Sequence, residues 1–328
     1  RRTQCKSAIR QVGLAVLNYE STNKLLPAAV NYFDPDAPGN NASSAFPMGP
    51  NWVIAVLPYL EEQALFDQFD LTYPVTDPNN EVARSAAIPT LLCPEDGEAN
   101  QQPFMASLST RVNLSGWGDN WGRTNYAANC SLDLMPRSLD QAIEFNNRKE
   151  SNFSTFQFAW KDPFIRGVFG INRPTKLAQI SDGTSKTVMI GEIRAGVVPV
   201  DARGTWAMGG GAPSSLWGHG YIGDDNGPNN LRVAADDVVS CTAVIQEFGG
   251  KSAALAAEGM GCSTVNAPNI QQTMRSRHPG GVHVCLVDGS VQFLSDDIQI
   301  AQNEFECCSV WDLINLAADS TALDAETF

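Results

Sequence analysis

The sequence predicts an α+β fold, an N-terminal helix packed on an antiparallel β-sheet that carries large irregular loop insertions. Three observations predict it. Cys5, Ile9, Val12, Val16 and Tyr19 recur at intervals of four, three, four and three, which is one face of a helix. The apolar runs after this helix are short and separated by turn residues, as in strands joined by tight connections. Near the C-terminus two alternating apolar runs, 282–287 and 291–294, flank Asp288-Gly289. An Asp-Gly pair suits the two left-handed positions of a type I′ hairpin turn. A helix followed by turn-linked strands is the element order of an α+β domain.

The helix is expected to end at Lys24-Leu-Leu-Pro27, because proline disfavours helical geometry in the residue before it. No Ser, Thr, Asp or Asn precedes Arg1 as a cap, so the helix reads as the lower half of a longer stem. The chain begins with Arg rather than Met, which reads as a processed or truncated product. Residues 28–50 form a loop, and 52–57 are a buried apolar run. Pro58 then opens a helix over 59–69, with Leu60, Ala64, Leu65 and Phe69 facing inward. Irregular insertions are expected at about 100–165 and 209–275, and strands at 167–171, 187–193 and 205–208. A two-residue turn pairs Cys285 with Gln292 and Val284 with Phe293. Val284, Leu286, Val291 and Phe293 then share the buried face. The organisation is therefore a stem helix, 1–26, and a globular head, 27–328.

Composition narrows the function. With 43% apolar and 18% charged residues the chain is globular rather than disordered. A net charge of −14 argues against nucleic acid and against anionic lipid, both of which need basic surfaces. No apolar run approaches the roughly 20 residues needed to cross a bilayer. Any membrane contact would come only through a segment before Arg1. The eight cysteines show no Cys-x-x-Cys spacing, so they point to disulfides and an oxidising, extracellular or cell-surface setting rather than to a zinc ribbon.

Several motifs occur in a fixed order. They are Arg2-Thr-Gln-Cys-Lys6 with Gln11-Val-Gly-Leu-Ala15 and Asn18-Tyr19, Val56-Leu-Pro-Tyr-Leu-Glu-Glu-Gln-Ala-Leu-Phe-Asp-Gln-Phe69, Leu92-Cys-Pro-Glu-Asp96, Thr124-Asn-Tyr-Ala-Ala128, Ile180-Ser-Asp-Gly-Thr-Ser-Lys-Thr-Val-Met-Ile-Gly-Glu192, and Gly227-Pro-Asn229 followed by Asp236-Asp237. They close with His278 followed, after nine residues, by Asp288-Gly289. This series resembles the large prepilin-type family of planctomycete bacteria, with a type IV pilin-like N-terminus and a C-terminal His-X9-Asp-Gly motif. The resemblance implies a pilin-like fold and a structural protein: a subunit of a cell-surface filament or pseudopilus, or a membrane-tethered surface protein. Its partners would be copies of itself or other pilin-like subunits, and the helix face of Ile9, Val12, Val16 and Tyr19 would serve assembly. Two features depart from the family pattern, the absence of its long apolar N-terminal segment and the Cys307-Cys308 pair.

Catalysis finds no motif. The chain has His219, His278 and His283 but no nucleophile elbow, phosphate loop or His-Glu-x-x-His, and it is expected not to be an enzyme. His278 is read as structural, and Asp288 and Gly289 are explained by their turn. Asp224, Asp225, Asn226 and Asn229 crowd oxygen donors around a glycine and are the candidate calcium ligands. Trp117, Trp121, Trp206 and Trp217 lie in Gly-rich loops. Exposed, they would make a monomeric glycan- or solute-binding module the alternative function; buried, they are loop anchors.

Eight cysteines allow 105 pairings. Cys5 and Cys93 lie in two segments that match the family, and a bridge between them would pin a loop to the stem. Cys241 and Cys262 flank a loop of about twenty residues that a bridge would order. Cys285 is expected to pair with Cys307 or Cys308, leaving the other for Cys130.

Overall fold

The computed structural model describes residues 1–32, 48–109, 114, 116–131, 166–170, 172–209, 213–217, 227–238, 241–264, 272–300 and 309–318. Helix α1 (Arg2–Asn23) buries Cys5, Ile9, Val12, Ala15 and Val16 along one face. Burial of Ile9, Val12 and Val16 contributes on the order of 5–9 kcal/mol. Tyr19 is half-buried, its ring set edge-on to Tyr59 at 5.8 Å. The helix ends where Lys24 turns left-handed (φ 62°) and donates its N–H to the Glu20 carbonyl, three residues before Pro27.

Nine strands are described: β1 (Val30–Tyr32), β2 (Met48–Asn51), β3 (Tyr126–Ser131), β4 (Val188–Glu192), β5 (Ser215–Trp217), β6 (Asp236–Val238), β7 (Cys262–Thr264), β8 (Gly281–Leu286) and β9 (Val291–Ser295). Five of them form the main sheet, in the order β5-β3-β4-β8-β9. The pairs are antiparallel except β3 with β5, so the α+β class holds, with one parallel pair at the edge. Helix α1 lies against β4, β8 and β9. Every residue of β8 is buried, because α1 covers one face of the strand. A second apolar layer covers the other, where Val282, Val284, Leu286 and Leu294 meet Trp311 and Ile314 of the helix Val310–Asn315.

Four expectations are corrected. The hairpin is slipped by one residue: Cys285 pairs with Val291 and His283 with Phe293. The loop holds three residues, with Gly289 at φ 83° and its N–H on the Leu286 carbonyl, while Leu286 N–H reaches Ser290. The extra loop residue moves Val284 and Leu286 to the face away from Val291 and Phe293. Second, the 59–69 helix is broken. A 3₁₀ turn, Leu57–Leu60, ends at a left-handed Glu61 before the short helix Gln63–Phe66, which leaves Ala64 exposed while Leu65 and Phe69 are buried. Third, the described residues of 167–171 and 205–208 form only isolated bridges, at Gly170 and Thr205, whereas β3 arises inside the first stretch expected to be irregular and β5, β6, β7 and the helices Cys241–Glu247 and Ser252–Ala257 inside the second.

The fourth correction concerns cysteines. Cys5–Cys93 and Cys241–Cys262 are disulfides, with Cα atoms 4.9 and 5.8 Å apart. In the chain-entropy account, closing loops of 88 and 21 residues contributes about 4.6 and 3.3 kcal/mol. Cys130 and Cys285 are free, buried thiols, contrary to the expected pairing with Cys307 or Cys308. Cys285 faces α1, where Gly13 leaves room for its sulfur, and Cys130 Sγ lies 3.5 Å from the Ala128 carbonyl within the sheet. Burial pushes both thiols up to about 12. Cys307 and Cys308 lie outside the described residues.

Candidate functional site

One end of α1 covers a buried cluster of chemically active side chains drawn from four parts of the chain. Cys5 sits one turn into α1 and is bonded to Cys93. The Cys93 loop is held by its own N–H on Asn125 Oδ1 (2.8 Å) and by Asn100 Nδ2 on its carbonyl (2.9 Å). Glu192 is the last residue of β4, a strand buried along its whole length. His283 comes from the neighbouring strand β8, and His278 from the turn before it, where Ser276 Oγ accepts the His278 N–H.

Glu192 is the hub. Its Oε2 accepts the His283 backbone N–H at 2.7 Å, and its Oε1 lies 3.1 Å from His283 Nδ1 and 3.2 Å from His278 Nε2. The two imidazoles stack edge to face at 5.0 Å, and His278 Nε2 is 3.7 Å from Cys93 Sγ. Burial pushes the Glu192 carboxyl up, but hydrogen bonds from His278 and His283 and the charge of His283 outweigh it, so the carboxyl titrates below its ordinary value. A buried carboxylate is tolerated only when its oxygens are satisfied, and both are satisfied here.

Ion pairs continue outward from the cluster. Asp96 binds Arg194 at 3.0 Å and the Ala195 N–H at 2.8 Å, Arg194 binds Glu258 at 3.0 Å, and Arg277 also reaches Glu258. A cleft of about 430 Å³ opens beside them, lined by Glu95, Glu98, Glu258, Arg277, Val197 and Phe248 among others. Deeper in the head, Asp201 and Asp236 bracket Arg203, with Asp236 also holding Arg275.

The structure separates the residues of the C-terminal motif. His278 belongs to the cluster, while Asp288 and Gly289 lie at the far end of β8, where Asp288 Oδ1 accepts the Ser290 N–H in an exposed turn. Glu192 carries the arrangement, although in the sequence it stands only as the last residue of a motif, with no role implied. The available signal was a carboxylate at the end of an otherwise apolar strand. Of the calcium candidates, Asp224, Asp225 and Asn226 lie outside the described residues. Asn229 clamps two segments, its Oδ1 taking the Ser276 N–H (2.8 Å) and its Nδ2 reaching Asp296 (2.7 Å). Trp117, Trp121 and Trp206 are buried, so these rings anchor loops rather than offer stacking faces. The side chain of Trp217, like all of His219, is outside the described residues. Ile9, Val12 and Val16 are spent on the chain's own core and leave no free apolar face there for assembly.

Residues 1–301 match the sequence model of a family described as a protein of unknown function, DUF1559. The chain belongs to that family, one of planctomycete-type surface proteins. No curated protein and no solved structure matches it. Among the described residues, no helix is long and apolar enough to cross a membrane. The two disulfides are consistent with an oxidising compartment.

Proposed function

We propose that this protein is a non-catalytic, exported surface protein of pilin-like build that assembles with copies of itself. The observation that carries the reading is the two-sidedness of α1. Its apolar side is fastened to the sheet by packing and by Cys5–Cys93, while Arg2, Lys6 and Arg10 lie on its exposed side. Residues 1–24 hold five basic side chains and one acid, a net of +4, which leaves −18 on the remainder against −14 overall. A basic helix on an acidic head favours a head-to-tail contact between copies, steered by opposite charge. Family membership and the two disulfides support a place outside the cytoplasm.

The test is the sheared surface fraction of cells that make the protein, probed by immunogold labelling with an antibody to the head. Labelled filaments or pseudopilus-like rods are expected, and they should thin out when Lys6 and Arg10 are both changed to Glu. Head antigen found there solely as monomer would contradict the proposal.

A second reading, a monomeric solute-binding module, rests on the cleft beside Glu95, Glu98 and Glu258. Its acidic lining favours a cationic solute. Calorimetric titration with polyamines or amino sugars tests it, and no heat with either class removes it.

A further inference from the structure

The cluster beneath α1 has a second use that does not depend on the assembly reading. Cys5, Cys93, Glu192 and His278 are all buried, and they place one potential ligand atom each within 4.8 Å of one another. Two edges of this group already have the dimensions of a tetrahedral zinc site. Zinc–sulfur bonds of about 2.3 Å and zinc–nitrogen or zinc–oxygen bonds of about 2.0–2.1 Å imply edges of about 3.6 Å from sulfur to nitrogen and about 3.3 Å from nitrogen to oxygen. The observed His278 Nε2–Cys93 Sγ and His278 Nε2–Glu192 Oε1 separations are 3.7 and 3.2 Å. The sulfur–sulfur edge is wrong for a metal, because the sulfurs are bonded to each other.

The outer partners of such a site are also in place. The His283 backbone N–H donates to Glu192 Oε2, which fixes the carboxylate, while Oε1, shared between His278 Nε2 and His283 Nδ1, would exchange its contact with His278 for the metal. The N–H of Cys93 is anchored on Asn125, which sets the direction of its side chain. Outer contacts of this kind orient ligands and raise affinity in known metal centres. In the reduced, metal-free state both sulfurs would stay protonated, and on binding a divalent cation would offset most of the charge of the two thiolates and the carboxylate that hold it.

We propose that reduction of Cys5–Cys93 turns this cluster into a site for zinc or another thiophilic divalent cation, held by the two cysteine sulfurs, His278 and Glu192. The disulfide and the metal would then be alternative ways of fastening α1 to the head. A dithiol supplies two electrons and two protons to the sulfur–sulfur bond, giving two thiols and its own disulfide. Each thiol then releases its proton to solvent as its sulfur binds the cation, and His278 binds through the Nε2 lone pair with its proton on Nδ1. A disulfide oxidant reverses both steps: it takes two electrons from the two sulfurs and two protons from solvent to become two thiols, the Cys5–Cys93 bond re-forms, and the metal is released. In a reducing compartment the cation would hold the fold that the disulfide holds outside it.

The experiment uses the full chain with Cys241→Ser and Cys262→Ser, so that Cys5–Cys93 is the one bridge left among the described cysteines. The protein is unfolded, reduced, and refolded under dithiol with cobalt(II), with zinc(II), or with neither. Expected are one cobalt per chain with the intense visible bands of tetrahedral sulfur ligation, loss of those bands on oxidation, and a higher melting temperature with zinc than without. His278→Ala should abolish the tetrahedral bands, and His283→Gln should weaken zinc binding by about 10–100-fold. If the metal-free reduced chain fails to refold, rescue by zinc supports the site, and failure of zinc to rescue it overturns the proposal. Absent bands, or bands unchanged by His278→Ala, overturn it equally.

Discussion

Replacing Gly13 of α1 by alanine should bring no stability gain while Cys285 stands beneath it. A methyl group built on Gly13 falls inside the contact radius of Cys285 Sγ, whereas Cys285 Cβ and Met189 Cε, each 3.5 Å away, remain at ordinary contact. Two effects of Gly13→Ala therefore oppose each other. Alanine in a helix interior gains about 1 kcal/mol over glycine. Overpacking in a filled core costs about 1–3 kcal/mol. Removing the sulfur removes the clash and leaves the propensity gain. A double-mutant cycle with Cys285→Ala should therefore show a favourable coupling of about 1–3 kcal/mol. Urea denaturation of the four proteins, with both disulfides intact, measures it from the shift in midpoint at constant slope. A coupling near zero, with Gly13→Ala stabilising whatever stands at 285, would refute the seating of α1 on β8.

Two further predictions concern buried charge and buried sulfur. Burial pushes the Asp201 carboxyl up, but Arg203 and Arg123 outweigh it, so its folded value lies below its unfolded one. The stability it contributes is thus present above the unfolded value of about 3.9 and is lost as pH falls through the folded one. The melting temperature should drop steeply below about pH 4 in the wild type and less steeply in Asp201→Asn, which should be about 3–5 kcal/mol less stable at pH 7; parallel acid slopes would contradict this. Cys130 and Cys285, with thiols held up to about 12, should resist iodoacetamide at about pH 8 until the chain is unfolded, as read by peptide mass mapping. Rapid alkylation of either in the native protein would place it elsewhere.

Local pattern carried the elements whose causes are local. The α1 stripe, its end before Pro27 and the position of the terminal hairpin follow from periodicity, proline geometry and turn chemistry within a few residues. The hairpin register did not, because Asp-Gly fits both a two-residue turn and the last positions of a three-residue loop, and the two differ by one residue of pairing. The cluster was less legible still. Glu192 meets His278 and His283 across 86 and 91 residues, and no spacing rule reaches that far. His278 looked like a residue at the start of a strand, and only the pairing of β4 with β8 brings a carboxylate to it. The Cys5–Cys93 bridge is implied by the resemblance and not by the residues themselves, since the helix and the Cys93 loop carry no mark that they meet.

Cys5–Cys93 fastens α1 to the head above the Glu192–His278–His283 cluster. The test is peptide mapping of the native protein under non-reducing conditions, with free thiols blocked before digestion. The expected result is one cross-linked peptide joining the Cys5 and Cys93 segments, a second joining Cys241 and Cys262, and Cys130 and Cys285 recovered unlinked. Cys5 or Cys93 recovered as a blocked thiol, or linked to any other cysteine, would contradict it.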